Sequence, residues 1–278
     1  TEDFTTGLTT PEGETFATPT DLGATWFVGL TYKNVIELID QYDEGDICLT
    51  NDPYSGFVCT HSPDMHIWKP VFHQGEIVCF VVGHIHNTDV GGAVPASLSR
   101  TLSEVHQEGI RIPPAKIMEQ GVMNEDVMSI MLANVRMPEQ NWGDLKAQIA
   151  AMNTGERRVH EMIAKFGIET FREGTAALLD YAEQQARAIV RALPDGRFFF
   201  ADYMDEDVAN GYPCRIALDV TIKGDGLVFD FTGSDPQIEG SVNIPTGGEV
   251  RHALIMVGLV YVLYSLDTSL FLNSGVSR

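Results

Sequence analysis

Met65-His66-Ile67-Trp68-Lys69-Pro70-Val71-Phe72, then His73-Gln74-Gly75, then Glu76-Ile77-Val78-Cys79-Phe80-Val81-Val82-Gly83-His84-Ile85-His86, reads as two β-rich runs joined by a short turn. That is an antiparallel hairpin signal. The second arm is apolar on both faces from Ile77 to Val82, which predicts an interior strand. It delivers His84 and His86, two residues apart, to one face of its end. Upstream, Glu44-Gly45-Asp46 is a turn and Ile47 to Thr50 a short strand. Pro53, Gly56 and Pro63 keep Asn51 to Asp64 irregular. Downstream, Asp89 to Pro114 is loop-rich, and loops beside a rigid sheet often line sites.

Farther out, Thr1 to Ala24 reads as an irregular arm with room for one short strand. Val35, Leu38 and Ile39 give Thr31 to Tyr42 helical spacing. Asn124 caps a helix predicted to Asn134. Glu139 to Phe166 is the longest helical signal, with a stripe of Trp142, Leu145, Ile149, Met152, Glu156, Val159, Ile163 and Phe166. Glu156 is the exception in that stripe, and a buried carboxylate needs a partner or a wet cavity. Gly167 ends this helix, and Ile168 to Leu193 forms a second one. After Gly196 the period becomes two: Cys214 to Ile222 and Leu227 to Phe231 predict an antiparallel hairpin turned at Lys223-Gly224-Asp225-Gly226. Glu249 to Leu266 is the final helix.

The expected fold class is therefore α+β. Antiparallel or mixed strands carry a loop-rich metal site over 1–138. A long helical hairpin follows over 139–193, and a second antiparallel region with a closing helix over 194–278.

A net charge of −21 argues against nucleic acid and anionic membrane surfaces, because both recruit basic patches. Cys48, Cys59, Cys79 and Cys214 form no CxxC pair. They read as buried free thiols of a reducing compartment, hence a cytoplasmic expectation. Cys59, two residues before His61, has a second reading as a soft metal ligand. No secretory signal is visible, and the longest apolar run, Ala253 to Leu266, is too short for a membrane span. The chain lacks capping elements at either end and is expected to be a piece of a longer polypeptide.

His61, His66, His84 and His86 gather with Asp52, Asp64 and Asp89 around the hairpin. Imidazole plus carboxylate, with no thiolate required, is the ligand set of Zn, Mn or Fe(II) sites that keep a position open. His61 and Asp64 flank Ser62-Pro63, so a turn must bring them together. Spacing leaves the third ligand open between His84 and His86, with His66 as a further candidate. Asp52 and Asp89 are read either as acceptors that orient the imidazoles or as caps of the turns at Pro53 and Gly91. There is no G-x-x-x-x-G-K-[ST] loop, dinucleotide glycine fingerprint, G-x-S-x-G elbow or H-E-x-x-H.

Several motifs stand in order along the chain: Gly45-Asp46, Asn51-Asp52-Pro53-Tyr54, Thr60-His61-Ser62-Pro63-Asp64 and His86-Asn87-Thr88-Asp89-Val90-Gly91-Gly92. They continue with Glu108-Gly109-Ile110-Arg111-Ile112-Pro113-Pro114, Asn134-Val135-Arg136, Gly155-Glu156-Arg157-Arg158, and Asp230-Phe231-Thr232-Gly233-Ser234 with Asn243. Together they resemble the hydantoinase B/oxoprolinase family. The resemblance implies a divalent ion, manganese in the carboxylase branch, held by two His and one Asp, which fall on His61, Asp64 and His86. It implies that ATP is handled by a hydantoinase A-type ATPase partner, in keeping with the missing phosphate loop. His84-Ile85-His86-Asn87 departs from the family's commoner Arg-Ala-His-His.

The function expected is a metal-dependent subunit of an ATP-dependent hydrolase of small cyclic amides, with Asp52, Asp89 and Glu156 in supporting catalytic roles. The alternatives are a subunit of an acetone-type carboxylase, an Fe(II) oxygenase, and a non-catalytic scaffold.

Overall fold

The hairpin at 65–86 is the centre of a seven-stranded antiparallel sheet in the computed structural model, which describes residues 3–19, 30–205, 211–249 and 251–278. Its arms are β4 (Asp64–His73) and β5 (Glu76–His86). β5 is flanked on its other side by β1 (Phe4–Thr9), which pairs with β2 (Thr15–Ala17). β4 is flanked by β3 (Ile47–Thr50), then β6 (Ala115–Glu119) and β7 (Val122–Met123). The sheet is open, with β2 and β7 at its edges.

Both faces of this sheet are covered, which explains the continuous apolar run in β5. Cys79, Val81 and Ile85 face the larger core with Met65 and Ile67. Phe80 and Val82 face a second cluster with Tyr32, Val35, Cys48, Cys59 and Trp68. Cys48, Cys59, Cys79 and Cys214 are buried free thiols. Burial, with Asp46 adding to it, pushes Cys48 up to about 12; burial also raises Cys59 and Cys79.

The larger core is closed by helices. One short turn, α1 (Lys33–Ile36), stands where a helix over 31–42 was expected; Leu38 is exposed, so the apolar stripe stops. α2 (Glu125–Asn134) is capped by Asn124, whose Oδ1 accepts from Val127 N. α3 (Pro138–Phe166) and α4 (Ile168–Arg191) form the long hairpin, hinged at Gly167 with φ of 84°. α3 crosses β5 so closely that a Cβ on Gly155 would sit 2.5 Å from Val81 Cγ1.

The inward ridge of α3 differs from the predicted stripe. Asn141 and Gln148 are buried on it, while Phe166 is exposed. Asn141 is tolerated there because its Nδ2 donates to Asp89 O and Met137 O. Gln148 Nε2 reaches Met65 O.

The arm at the N-terminus also departs from expectation. Residues 4–17 supply two strands of the main sheet, and 20–24 lie outside the described residues. β1 alternates in burial, but Thr5, Gly7 and Thr9 are its inward residues. Threonine suits a strand yet leaves no hydrophobic period to read.

Beyond α4 the chain makes a three-stranded antiparallel sheet of β8 (Gly196–Met204), β9 (Cys214–Lys223) and β10 (Gly226–Asp230). α5 (Ala253–Leu266) packs with α4 in a third cluster. No helix among the described residues is long and apolar enough to cross a membrane.

Candidate metal centre

Strand register puts the site together. Asp64 opens β4 and lies directly opposite His86 at the end of β5; His66 lies opposite His84. These four side chains share the sheet face of Tyr32 and Trp68. His61 comes from the turn before β4, closed by Asp64 N donating to His61 O at 3.2 Å. The Ser62-Pro63 bend therefore does what the spacing required.

Three ligand atoms meet. His61 Nε2 lies 3.0 Å from Asp64 Oδ1 and 3.1 Å from His86 Nδ1, and His86 Nδ1 lies 3.0 Å from Asp64 Oδ1. His86 completes this near-equilateral triangle, and His84 is not part of the group. His84 sits behind, its Nε2 3.2 Å from the same Oδ1. His66 is deeper still, with Nδ1 2.9 Å from the Tyr32 hydroxyl. Thr60 Oγ1 donates to the other carboxylate oxygen, Asp64 Oδ2, at 2.6 Å.

Hydrogen bonds alone do not satisfy the triangle. Two imidazole nitrogens offer at most two protons for three edges. If both point at Asp64, two N–H groups face each other along the third edge. A cation at the centre satisfies all three edges with bare nitrogens and a carboxylate. Ligands about 2.1 Å from an ion and at right angles stand about 3.0 Å apart, whereas tetrahedral angles need about 3.4 Å. The observed edges fit a three-point face that leaves other positions open. Two His and one Asp also suit Mn, Fe or Zn in donor chemistry.

Burial works to raise Asp64, but hydrogen bonds from His61, His84 and His86 hold it well below the usual carboxylate range. Burial works to lower His61, yet Asp64, with Glu108 and Asp3 adding charge, leaves it raised. Burial, reinforced by His84, keeps His66 well below an ordinary histidine, hence neutral.

The three acids read as supporting groups are not among the three atoms of the triangle. Asp52 accepts from Tyr54 N and Ser55 Oγ, which makes it a turn cap beside Pro53. Asp89 accepts from Gly91 N, Ala96 N and Arg136. Glu156 is 2.8 Å from the buried Lys69 Nζ. Lys69 is five residues along β4 from Asp64, about 17 Å of strand, so Glu156 stands apart from the triangle. Its carboxylate is accounted for by the lysine that the sheet buries. Cys59 Sγ reaches Thr50 O instead of the triangle.

What the spacing did not reveal is the cradle. Asn51 Oδ1 accepts from Ile112 N, and its Nδ2 donates to Ser62 O and Ile110 O. Glu108 Oε2 accepts from Ser62 N at 2.8 Å. Arg136 donates to Asp89 and to the carbonyls of Gly91, Gly92 and Val94. Gly91 and Gly92 have positive φ, and a Cβ on either would lie 2.3 Å from a backbone oxygen of Asn134 or Gln107. Thr60, Asn51, Glu108 and Arg136 all fall inside the motifs quoted above; those motifs were the one signal that could have found them.

The sequence model of the hydantoinase B/oxoprolinase family matches residues 1–278. Caprolactamase subunit beta of Pseudomonas jessenii is 36% identical over 212 residues, 76% of this chain and 36% of its own length. The crystal structure of the ATP-dependent caprolactamase from Pseudomonas jessenii superposes with a TM-score of 0.85 at 30% identity, over 99% of this chain and 47% of that one. The nucleotide-free structure of acetone carboxylase gives 0.86 at 21% identity, over 99% and 38%, a likeness of fold. The chain spans less than half the length of each.

Proposed function

The chain belongs to the hydantoinase B/oxoprolinase family, and from that premise we propose that it is the metal-binding part of an ATP-dependent hydrolase of small cyclic amides. His61, Asp64 and His86 hold the ion, manganese first, zinc or iron as alternatives. ATP is handled by a hydantoinase A-type ATPase subunit or domain. The supporting observation is the triangle of 3.0–3.1 Å edges, which hydrogen bonds leave unsatisfied. The likeness to an ATP-dependent caprolactamase supports a cyclic amide as substrate.

A divalent ion there supplies Lewis acidity toward a carbonyl oxygen. The chain's residues prepare the place for it. Asp64 stays ionised, Thr60 fixes its second oxygen, and His84 backs the first. Asn51 and Glu108 hold the turn that carries His61, while Asp89 and Arg136 lock the loop after His86. In the net reaction water adds to the ring carbonyl, the C–N bond breaks and nitrogen takes the proton, coupled to conversion of ATP and water to ADP and phosphate.

The test is metal analysis of the purified protein beside His61→Ala and Asp64→Asn, with ATP-dependent ring opening assayed in the full complex. Stoichiometric metal in the wild type and its loss from both variants are expected. Unchanged metal in His61→Ala removes the site. Incorporation of labelled bicarbonate into acetone, without ring opening, moves the reading to the carboxylase branch.

A further inference from the structure

Two cavities adjoin at the turn that carries His61. One, of about 250 Å³, is lined by His61 and lies between the loop after β5 and the loop before α5. The other, of about 90 Å³, is lined by Pro53, Tyr54 and Glu104. Thr60 and Glu108 line both. Ser241 Oγ donates to Ser99 O at 2.9 Å and so joins the two loops that wall the larger cavity.

Opening a cyclic amide moves a proton from water to nitrogen, and a side chain that carries it must stand beside the reacting atoms. Among the described residues, the larger cavity is lined by two acid–base side chains, His61 and Glu108. His61 Nε2 is committed to the triangle, 3.0 Å from Asp64 Oδ1 and 3.1 Å from His86 Nδ1. A ring that is a ligand through Nε2 keeps its proton on Nδ1 and has no lone pair left to take another. Glu108 divides its two oxygens. Oε2 accepts from Ser62 N at 2.8 Å, which ties the side chain to the residue next to His61. Oε1 makes no hydrogen bond among the described residues. The half-buried carboxylate thus keeps one oxygen for the turn and one for chemistry.

From this we infer that Glu108 is the general base of ring opening, a catalytic residue that carries one proton from water to the ring nitrogen. The inference rests on the cyclic-amide reading above and names the group that moves its proton. The water oxygen bonds to the ring carbonyl carbon while Oε1 takes one of the water's protons. The C–N bond then breaks, its electron pair stays on nitrogen, and the nitrogen takes that proton from Oε1. Glu108 ends as the carboxylate it began, and the coupled conversion of ATP lies outside this transfer. A base must reach its proton directly or through one water. Ser62 holds Glu108 one residue from His61, about 3.8 Å of chain. A water takes about 30 Å³, so a cavity of about 250 Å³ has room for a small ring with a water beside it.

Glu108→Gln separates this role from that of a strut under the turn. The amide oxygen can still accept from Ser62 N, but the amide nitrogen cannot take a proton. The full complex, wild type and variant, is loaded with Mn(II) and assayed with ATP on hydantoin, 5-oxoproline and caprolactam, with metal content recorded for every sample. The amide that the wild type opens fastest serves as the probe. Full metal, a KM close to that of the wild type and a kcat lower by about 10²–10⁴-fold are expected, the range of general acid–base catalysis. A variant with kcat near that of the wild type overturns the inference. A variant that has lost its metal overturns it too, since the carboxylate then serves to hold the turn. Neither result touches the cyclic-amide reading. That reading falls, and this inference with it, if the wild-type complex opens none of the three amides at full metal content.

Discussion

Asp64 and Asp46 are both almost fully buried carboxylates, but their environments ask different things of them. Asp64 faces three imidazoles that supply no permanent charge. Asp46 is held by Lys116 Nζ at 2.7 Å and by the N–H groups of Asp43 and Gln120. Asp46→Asn leaves a lysine and two amides poorly answered and should destabilise the fold by about 2–4 kcal/mol, read by urea unfolding. Burial opposes the charge on Asp46, but Lys116 and the backbone donors win and lower it from 3.8. Burial likewise opposes Lys116, and Asp46 wins and raises it from 10.5. A lowered acid contributes fully above its unfolded value and loses that as pH falls through its folded one; a raised base contributes fully below its unfolded value and loses that as pH rises through its folded one. The pair should therefore stabilise evenly from about pH 4 to pH 10. The difference between wild type and Asp46→Asn should narrow at both extremes.

Elements carried most of what could be read in advance. The hairpin, the two long helices, the Asn124 cap and the β9–β10 turn follow from period, caps and glycines that act over a few residues. β1 and β6 escaped because β5 and β3, which they flank, lie far away in sequence; β2 is only three residues long, and threonine and glycine occupy the inward positions of β1. For the site, spacing brought His61, Asp64 and the end of β5 into view but not the choice of His86. That choice depends on register, where Asp64 faces His86 while His84 faces His66. The seat of α3 on β5 gives a test at this scale. Gly155→Val drives methyl groups into Val81, already 2.5 Å from a notional Cβ. It should cost about 1–3 kcal/mol by overpacking, measured by chemical denaturation. Because β5 also carries His86, metal affinity should weaken in the same variant.

Across the whole molecule, the last residues return to the first. Asn273 is fully buried; its Nδ2 donates to Phe16 O and Leu178 O, and its Oδ1 accepts from Gly275 N. Arg278 grips Glu14 through two nitrogens and reaches Asp180 at 2.9 Å, but these groups are part-exposed. The ion pairs are the more conspicuous contact and the weaker one. Asn273→Ala should cost about 2 kcal/mol, since three backbone groups lose a buried partner. Arg278→Ala should cost less than about 1 kcal/mol, because water and salt screen exposed pairs. Parallel thermal melts rank the two, and a larger loss in Arg278→Ala would refute the ordering.

Cys48 and Cys79 lie inside the central strands and Cys59 beneath them, each sealed from solvent. A thiol with so high a proton affinity, and no path to reagent, is chemically silent until the strands part. A maleimide added to the folded protein should thus modify these three sulfurs only as fast as the molecule breathes open. Nature has left a stopwatch in the interior, and mass spectrometry can read it without attaching any dye.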